Sequence, residues 1–172
     1  PVIGMVGLAK NKNITTSNFK NKDDIIVMIG PFNVSLAGSS YLKLFYDKVV
    51  GPLPLFDMDN ECNVQKVCIK AIDSGIINSA HDLSDGGLST AISESVISSE
   101  NDLGAYINIE SKLSNDEVFF GECPSIIIVS LNEKSLYDLV LLAKKYDVNT
   151  QTIGRVTNDR KLIINDLINI NK

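Results

Sequence analysis

The chain carries little that builds a metal knuckle, a disulfide scaffold or a membrane span. Its 172 residues include three cysteines, Cys62, Cys68 and Cys123, and no two of them form a C-x-x-C pair. An odd count without spacing excludes a disulfide framework and a zinc ribbon, and the expectation is buried free thiols in a reducing cytosol. The only histidine is His81, so no second imidazole is at hand for a histidine-based metal site. No apolar run approaches the roughly 18 residues of a membrane helix. The start PVIGMVGL has no basic n-region, so no secretory leader is expected. The longest basic run is Lys144-Lys145, and 16 basic side chains face 21 acidic ones for a net charge of -5. Such a surface repels a phosphate backbone, which argues against nucleic-acid binding. Walker A, dinucleotide and G-x-S-x-G patterns are missing, as are internal repeats, low-complexity segments and a dividing linker. The chain reads as a single domain, 1–172, soluble and cytoplasmic.

What is present alternates in period. Residues 2–8 and 24–30 read as strands, with an exposed polar loop over 9–22 between them. GSSYLKLFY, 38–46, reads as a short helix opened by Gly38-Ser39-Ser40. Val64, Val67, Cys68 and Ala71 share one helical face over 60–74, and Gly75 sits where a C-cap glycine belongs. A strand follows over 76–80, then a helix marked by Leu88, Ala91, Ile92 and Val96. Strands are expected at 104–109 and 125–131. A helix marked by Leu136, Leu139, Val140 and Ala143 comes next, then strands at 151–156 and 162–164 around the turn 157–159. Strands and helices mix without a strict βαβ rhythm. The expected class is α/β or α+β, a two-layer domain with helices packed on one mixed sheet.

SAHDLSDGGL, 79–88, concentrates the chemistry. A strand-to-helix turn with Gly86 and Gly87 lets a backbone approach a ligand closely. The helix start offers unpaired N–H groups to an anion. Asp82 and Asp85, three apart, supply hard oxygens suited to Mg²⁺ bound with phosphates. The same letters equally describe a plain turn with Asp85 as an N-cap. His81 at a strand end reads first as a hydrogen-bonded structural residue. Glu122, after Gly121 in FFGE, either faces the same cleft as Asp82 or caps a turn. Gln65 lies one position from the apolar face of its helix and reads as a surface residue.

PVIGMVGL, GSSYLK, SAHDLSDGGL, FGE at 120–122 and IGRVTNDRKLII at 153–164 occur in this order. Together they resemble the C-terminal part of phosphoribosylformylglycinamidine synthases of the subunit II type, within the aminoimidazole ribonucleotide (AIR) synthase-related superfamily. The resemblance implies an AIR synthase C-terminal-domain-like fold. It also implies an ATP-dependent ligase of purine biosynthesis that uses formylglycinamide ribonucleotide, ATP, Mg²⁺ and glutamine-derived ammonia. By motif, Asp82 falls on an acidic Mg²⁺ contact. The turn Asp85, Gly86 and Gly87, with Gln65 and Glu122, falls on nucleotide- or substrate-facing positions. Where the family continues after FGE with a polar stretch, this chain has Cys123-Pro124-Ser125, so contacts from that stretch do not carry over. The implied partners are the N-terminal domains of the same enzyme and the glutaminase and small subunits of its complex. The implied piece begins near Pro1, lacks upstream motifs of the reaction, and is inactive alone. The other role left open is a non-catalytic assembly or nucleotide-site module of this or a related ATP-dependent enzyme.

Overall fold

The computed structural model describes residues 4–7 and 14–172. The elements run β1 (Ile25–Ile29), α1 (Ser40–Tyr46), α2 (Met58–Asp73), β2 (Ser79–Asp82), α3 (Gly87–Ile97), β3 (Gly104–Ile107), α4 (Asn115–Phe120), β4 (Ile127–Leu131), a short 3₁₀ turn, α5 (Leu136–Lys145), β5 (Thr150–Thr157), β6 (Lys161–Ile164) and β7 (Ile168–Asn171). The strands form one sheet in the order β2-β4-β1-β5-β3-β6-β7. Every pairing is antiparallel except β3 with β6. This is the mixed sheet with helices that the sequence leads one to expect.

β1 explains how the layers are held. All five of its residues are buried, and successive side chains of a strand point to opposite faces. Ile25, Val27 and Ile29 join Val64, Val67, Cys68 and Ala71 of α2 and Leu139 and Ala143 of α5. Ile26 and Met28 join Leu88, Ile92 and Val96 of α3 and Val118 and Phe119 of α4. The helices are therefore divided between the two faces, and the central strand has no polar side to show. Each fully buried Val, Leu or Ile stabilises by about 1.5–3 kcal/mol relative to exposure.

Helix ends follow local chemistry. Asp57 caps α2 by accepting from Asp59 and Asn60 N–H, and Ser39 caps α1 by accepting from Leu42 N–H. α2 ends in a Schellman turn: Gly75 at φ 67 donates to Ile72 O at 3.0 Å, and Ile76 donates to Ala71 O at 2.9 Å.

Several expectations are corrected. Of the strand expected over 2–8, residues 2, 3 and 8 lie outside the described residues. Residues 4–7 have no regular structure, and Met5 and Val6 are exposed, because no neighbouring strand pairs with them among the described residues. Of the loop over 9–22, residues 9–13 lie outside the described residues; 14–22 are irregular, yet Phe19 is in the core. The strand expected at 76–80 lies at Ser79–Asp82, since the Schellman turn occupies residues up to Ile76. β5 and β6 are not neighbours: β3 lies between them, and β7 adds an unanticipated edge. Cys62 is exposed on the outer side of α2, while Cys68 and Cys123 are buried and all three are free. Burial pushes the Cys68 and Cys123 thiols up from their ordinary range.

Candidate functional site at the turn into the third helix

β2 pairs with β4, His81 opposite Ile128 and Asp82 opposite Ile127. Adjacent strand residues face opposite ways, yet Asp82 Oδ1 curls back to 3.5 Å from His81 Nδ1. The His81 side chain is 14% exposed and lies against α3, its Nε2 2.7 Å from Glu94 Oε2 and its Nδ1 2.8 Å from the Asp82 carbonyl. It is thus a hydrogen-bonded structural residue. The Asp82 side chain is 74% exposed and lines a cleft of about 650 Å³.

After Asp82 the chain turns. Leu83 is buried and donates to Ile126 O, while Ser84 and Asp85 stay on the cleft. Gly86 at φ 78 is the N-cap of α3 and makes no side-chain cap bond, so Asp85 is not the cap. The capping anion comes from far away in sequence. Glu122 Oε1 accepts from Gly86 N–H at 2.8 Å and from Ser40 N–H, the first residue of α1, also at 2.8 Å. One carboxylate therefore joins two helix starts, where the helix dipoles favour negative charge by about 0.3–1 kcal/mol each. It does for α3 what the glutamate of a capping box does within one helix.

The surrounding glycines are set by packing. Gly87 has φ 67, and a Cβ there would lie 2.6 Å from Gly121 O and 2.8 Å from Phe120 C. A Cβ on Gly121 would lie 2.4 Å from Glu117 O and 2.9 Å from Val34 Cβ. Bare backbone at Gly87 lets α3 meet the end of α4, and at Gly121 it lets the chain leave α4 beside Val34. Two backbone bonds with Ser35, Glu122 N–H to Ser35 O at 2.9 Å and Ser35 N–H to Glu122 O at 3.2 Å, then fix Glu122. The apolar-glycine-acid run FFGE is thus a close-packing device that delivers a carboxylate to two helix ends.

Of the residues singled out from sequence, Gln65, Asp82, Asp85 and Glu122 line this one cleft. Gly86 and Gly87 stand behind it, the Gly86 N–H already held by Glu122. Sequence reasoning missed Glu61, Ser125, Leu53 and Phe56, which also line it. Glu61 was visible as the residue one helical turn before Gln65, a spacing at which side chains meet; its Oε1 accepts from Gln65 Nε2 at 2.6 Å. The lining holds the carboxylates Glu61, Asp82, Asp85 and Glu122 and, among the described residues, no lysine or arginine. No group of three His, Cys, Asp or Glu side chains among the described residues is arranged to hold a metal ion by itself. Asp82 fits as one carboxylate of a Mg²⁺ whose other ligands are phosphate oxygens and waters, the usual way that ion is held.

Residues 21–166 match the family described as AIR synthase related protein, C-terminal domain. The chain belongs to that family. It is 35% identical over 165 residues to the phosphoribosylformylglycinamidine synthase subunit PurL of Thermoanaerobacter pseudethanolicus, an alignment covering 95% of this chain and 22% of that protein. The chain thus spans about a fifth of the length of such relatives. Among solved structures, Thermotoga maritima PurL complexed with FGAR superposes with a TM-score of 0.77 at 18% identity, over 94% of this chain and 29% of that one. The same protein complexed with ATP gives 0.73 at 18% identity, over 94% and 27%. PurLQS from T. maritima gives 0.72 at 18% identity, over 95% and 27%. At that identity the likeness concerns the fold, which this domain shares over nearly its whole length.

Proposed function

We propose that this family member serves as the C-terminal AIR synthase-related domain of an enzyme of the phosphoribosylformylglycinamidine synthase kind. Such an enzyme is an ATP-dependent ligase of purine biosynthesis that converts formylglycinamide ribonucleotide and glutamine-derived ammonia to the amidine. The observation that carries this reading is the 35% identity to a PurL subunit across 95% of the chain. Cofactors are ATP or ADP with Mg²⁺, in line with the ATP complex of the T. maritima relative. Partners are the remaining domains of a longer polypeptide, together with the glutaminase and small subunits that the resemblance implies, a reading in line with the PurLQS structure of the T. maritima relative. The work is done in the cytoplasm, a reading in keeping with the free thiols of Cys62, Cys68 and Cys123.

The cleft supports a phosphate-handling role of a restricted kind. Four carboxylates, with no lysine or arginine among the described lining residues, repel a bare phosphate, since like charges about 4 Å apart cost roughly 4 kcal/mol near a protein surface. A nucleotide enters only as its magnesium complex or with cations contributed by a neighbouring domain. Mg²⁺, when bound, supplies neutralisation of the phosphate charge. Asp82 is the residue to hold it, and Asp85 and the Gly86–Gly87 turn flank the phosphates. Glu122 holds the turn and α1 in register, and Gln65 faces the organic part. Lacking most of the relatives' length, the chain by itself turns over no substrate.

A second reading is favoured by the Gly86 N–H being taken by Glu122: the turn shapes a domain interface and no nucleotide binds. Calorimetric titration of Mg-ADP into wild type and Asp82→Asn, both in the full-length protein, separates them. Binding by wild type that falls at least tenfold in the variant supports the nucleotide role. Equal binding by both removes Asp82 from the site, and binding by neither leaves the interface reading.

A further inference from the structure

We infer that Glu61 fixes the orientation of a nucleotide in this cleft, with the nucleoside against α2 and the phosphates against the turn after β2; this rests on the nucleotide reading above. Glu61 stands in the first turn of α2, and both of its carboxylate oxygens are engaged. Oε1 accepts from Gln65 Nε2 at 2.6 Å and Oε2 accepts from Ser125 Oγ at 2.5 Å. Ser125 has a single hydroxyl hydrogen, and Glu61 takes it, so that hydroxyl has only lone pairs left to offer. One Gln65 N–H goes to Glu61, which sets the flip of the amide and leaves its oxygen and its second N–H without a partner among the described residues. Both residues line the cleft.

Ser125 is placed at a backbone cost. Its φ is 64, in the left-handed region that non-glycine residues seldom adopt. Its carbonyl oxygen sits 2.0 Å from where a Cβ on Gly30 would be, which is why position 30, at φ 111, carries no side chain. Strain of this sort, about 1–3 kcal/mol, persists where surrounding structure holds it, and it collects at ligand sites. Here it brings the hydroxyl onto the Glu61 carboxylate.

The α2 wall of the cleft therefore offers mostly acceptors, the Glu61 carboxylate, the Ser125 lone pairs and the Gln65 oxygen, with one Gln65 N–H left over, beside the apolar side chains Leu53, Phe56 and Ile127. Its complement is a flat ring bearing N–H or O–H hydrogens, as a purine nucleoside does with its exocyclic amine and ribose hydroxyls. Phosphate oxygens, which are acceptors and anionic, are excluded from that wall and go to the Asp82 and Asp85 side with their metal.

The experiment uses two probes on the full-length protein: adenosine, which has no phosphate, and Mg-ADP. Wild type is expected to bind both. Glu61→Gln, left with one acceptor where two donors need one, weakens both by about tenfold or more. Asp82→Asn weakens Mg-ADP alone. Ser125→Gly removes the hydroxyl and relieves the left-handed strain, so it weakens adenosine binding while its Tm stays level or rises, a split that loss of structure cannot produce. That variant also decides the matter if Glu61→Gln folds poorly. If wild type binds Mg-ADP but adenosine is bound equally, or not at all, by wild type and Ser125→Gly, this orientation is wrong and the nucleotide reading survives. Failure of wild type to bind either probe overturns both.

Discussion

Single residues set the pH response and the tolerance of this domain. Asp24 is 2% exposed, at the start of the central strand, and its Oδ2 accepts from Asn78 Nδ2 at 2.8 Å and from Asn21 Nδ2 at 3.3 Å. Burial raises its pKa above the usual carboxylate range; the bonds from Asn78, Asn21 and Ser130 offset this only in part. In the folded state the proton is held more tightly than in the unfolded one. The cost of ionising Asp24 is absent below the unfolded value of 3.8 and fully present above the raised folded value. Asp24→Asn keeps the acceptor and has nothing to ionise. The Tm difference, variant minus wild type, is therefore expected to grow as pH rises from about 3.5 through the carboxylate range, as scanning calorimetry would read; a flat difference would remove Asp24 as the source. Gly87→Ala makes the opposite kind of demand. It puts a Cβ 2.6 Å from Gly121 O at φ 67, so it should destabilise by about 2–4 kcal/mol in urea unfolding. The Gly75→Ala change, with open space around its Cβ, should cost only about 1 kcal/mol for the same left-handed backbone.

At the scale of elements, α4 is short and depends on its ends. Ser114 Oγ accepts from Glu117 N–H at 3.3 Å, while Glu117 Oε2 accepts from Ser114 N–H at 3.0 Å, a complete capping box. Bonds from the Ser114 side chain first and backbone second hold the Glu117 carboxyl below its ordinary value. That contribution is present above the unfolded value of 4.5 and is lost as pH falls through the lower folded one. Ser114→Ala should lower Tm by about 2–4 °C at neutral pH, with the deficit shrinking toward pH 3. Equal deficits at both pH values would show that the ionised carboxylate plays no part. Elements of this kind differ in how far the sequence reveals them. The α2 face Val64, Val67, Cys68 and Ala71 is legible because helical periodicity and burial coincide. α5 is less clean, burying Leu139 and Ala143 while Val140 stays 40% exposed. The position of β3 between β5 and β6 is not local information, so no spacing within 151–164 reveals it. At the site, the turn after β2 is legible from its aspartates and glycines. The carboxylate that caps it is 36 residues downstream, and Ser125 enters the cleft only through a backbone conformation its side chain does not advertise.

The whole molecule leaves one surface unexplained by its own core. Between residues 44 and 58, Leu44, Phe45, Tyr46, Val49, Val50, Leu53, Leu55, Phe56 and Met58 are all more than half exposed, and α1 buries none of its residues. Scattered apolar side chains on a surface need no cause, but a contiguous belt of this size marks a contact face. The belt adjoins the cleft, which Leu53 and Phe56 also line, and the chain spans only about a fifth of its relatives' length. The physical expectation is that the belt is covered by other domains in a longer polypeptide, and that the 172-residue chain alone covers it by self-association. Leu44→Glu with Leu55→Glu tests this without touching the cleft. Neither side chain is buried, at 79% and 99% exposure, so Tm should stay within about 2 °C of wild type. Sedimentation velocity should show wild type associating as concentration rises and the double variant remaining monomeric. The added charges oppose contact because a buried, unpaired carboxylate costs several kcal/mol. A wild-type chain that stays monomeric at high concentration would mean that the belt is tolerated in water, and its assignment as a contact face would fall.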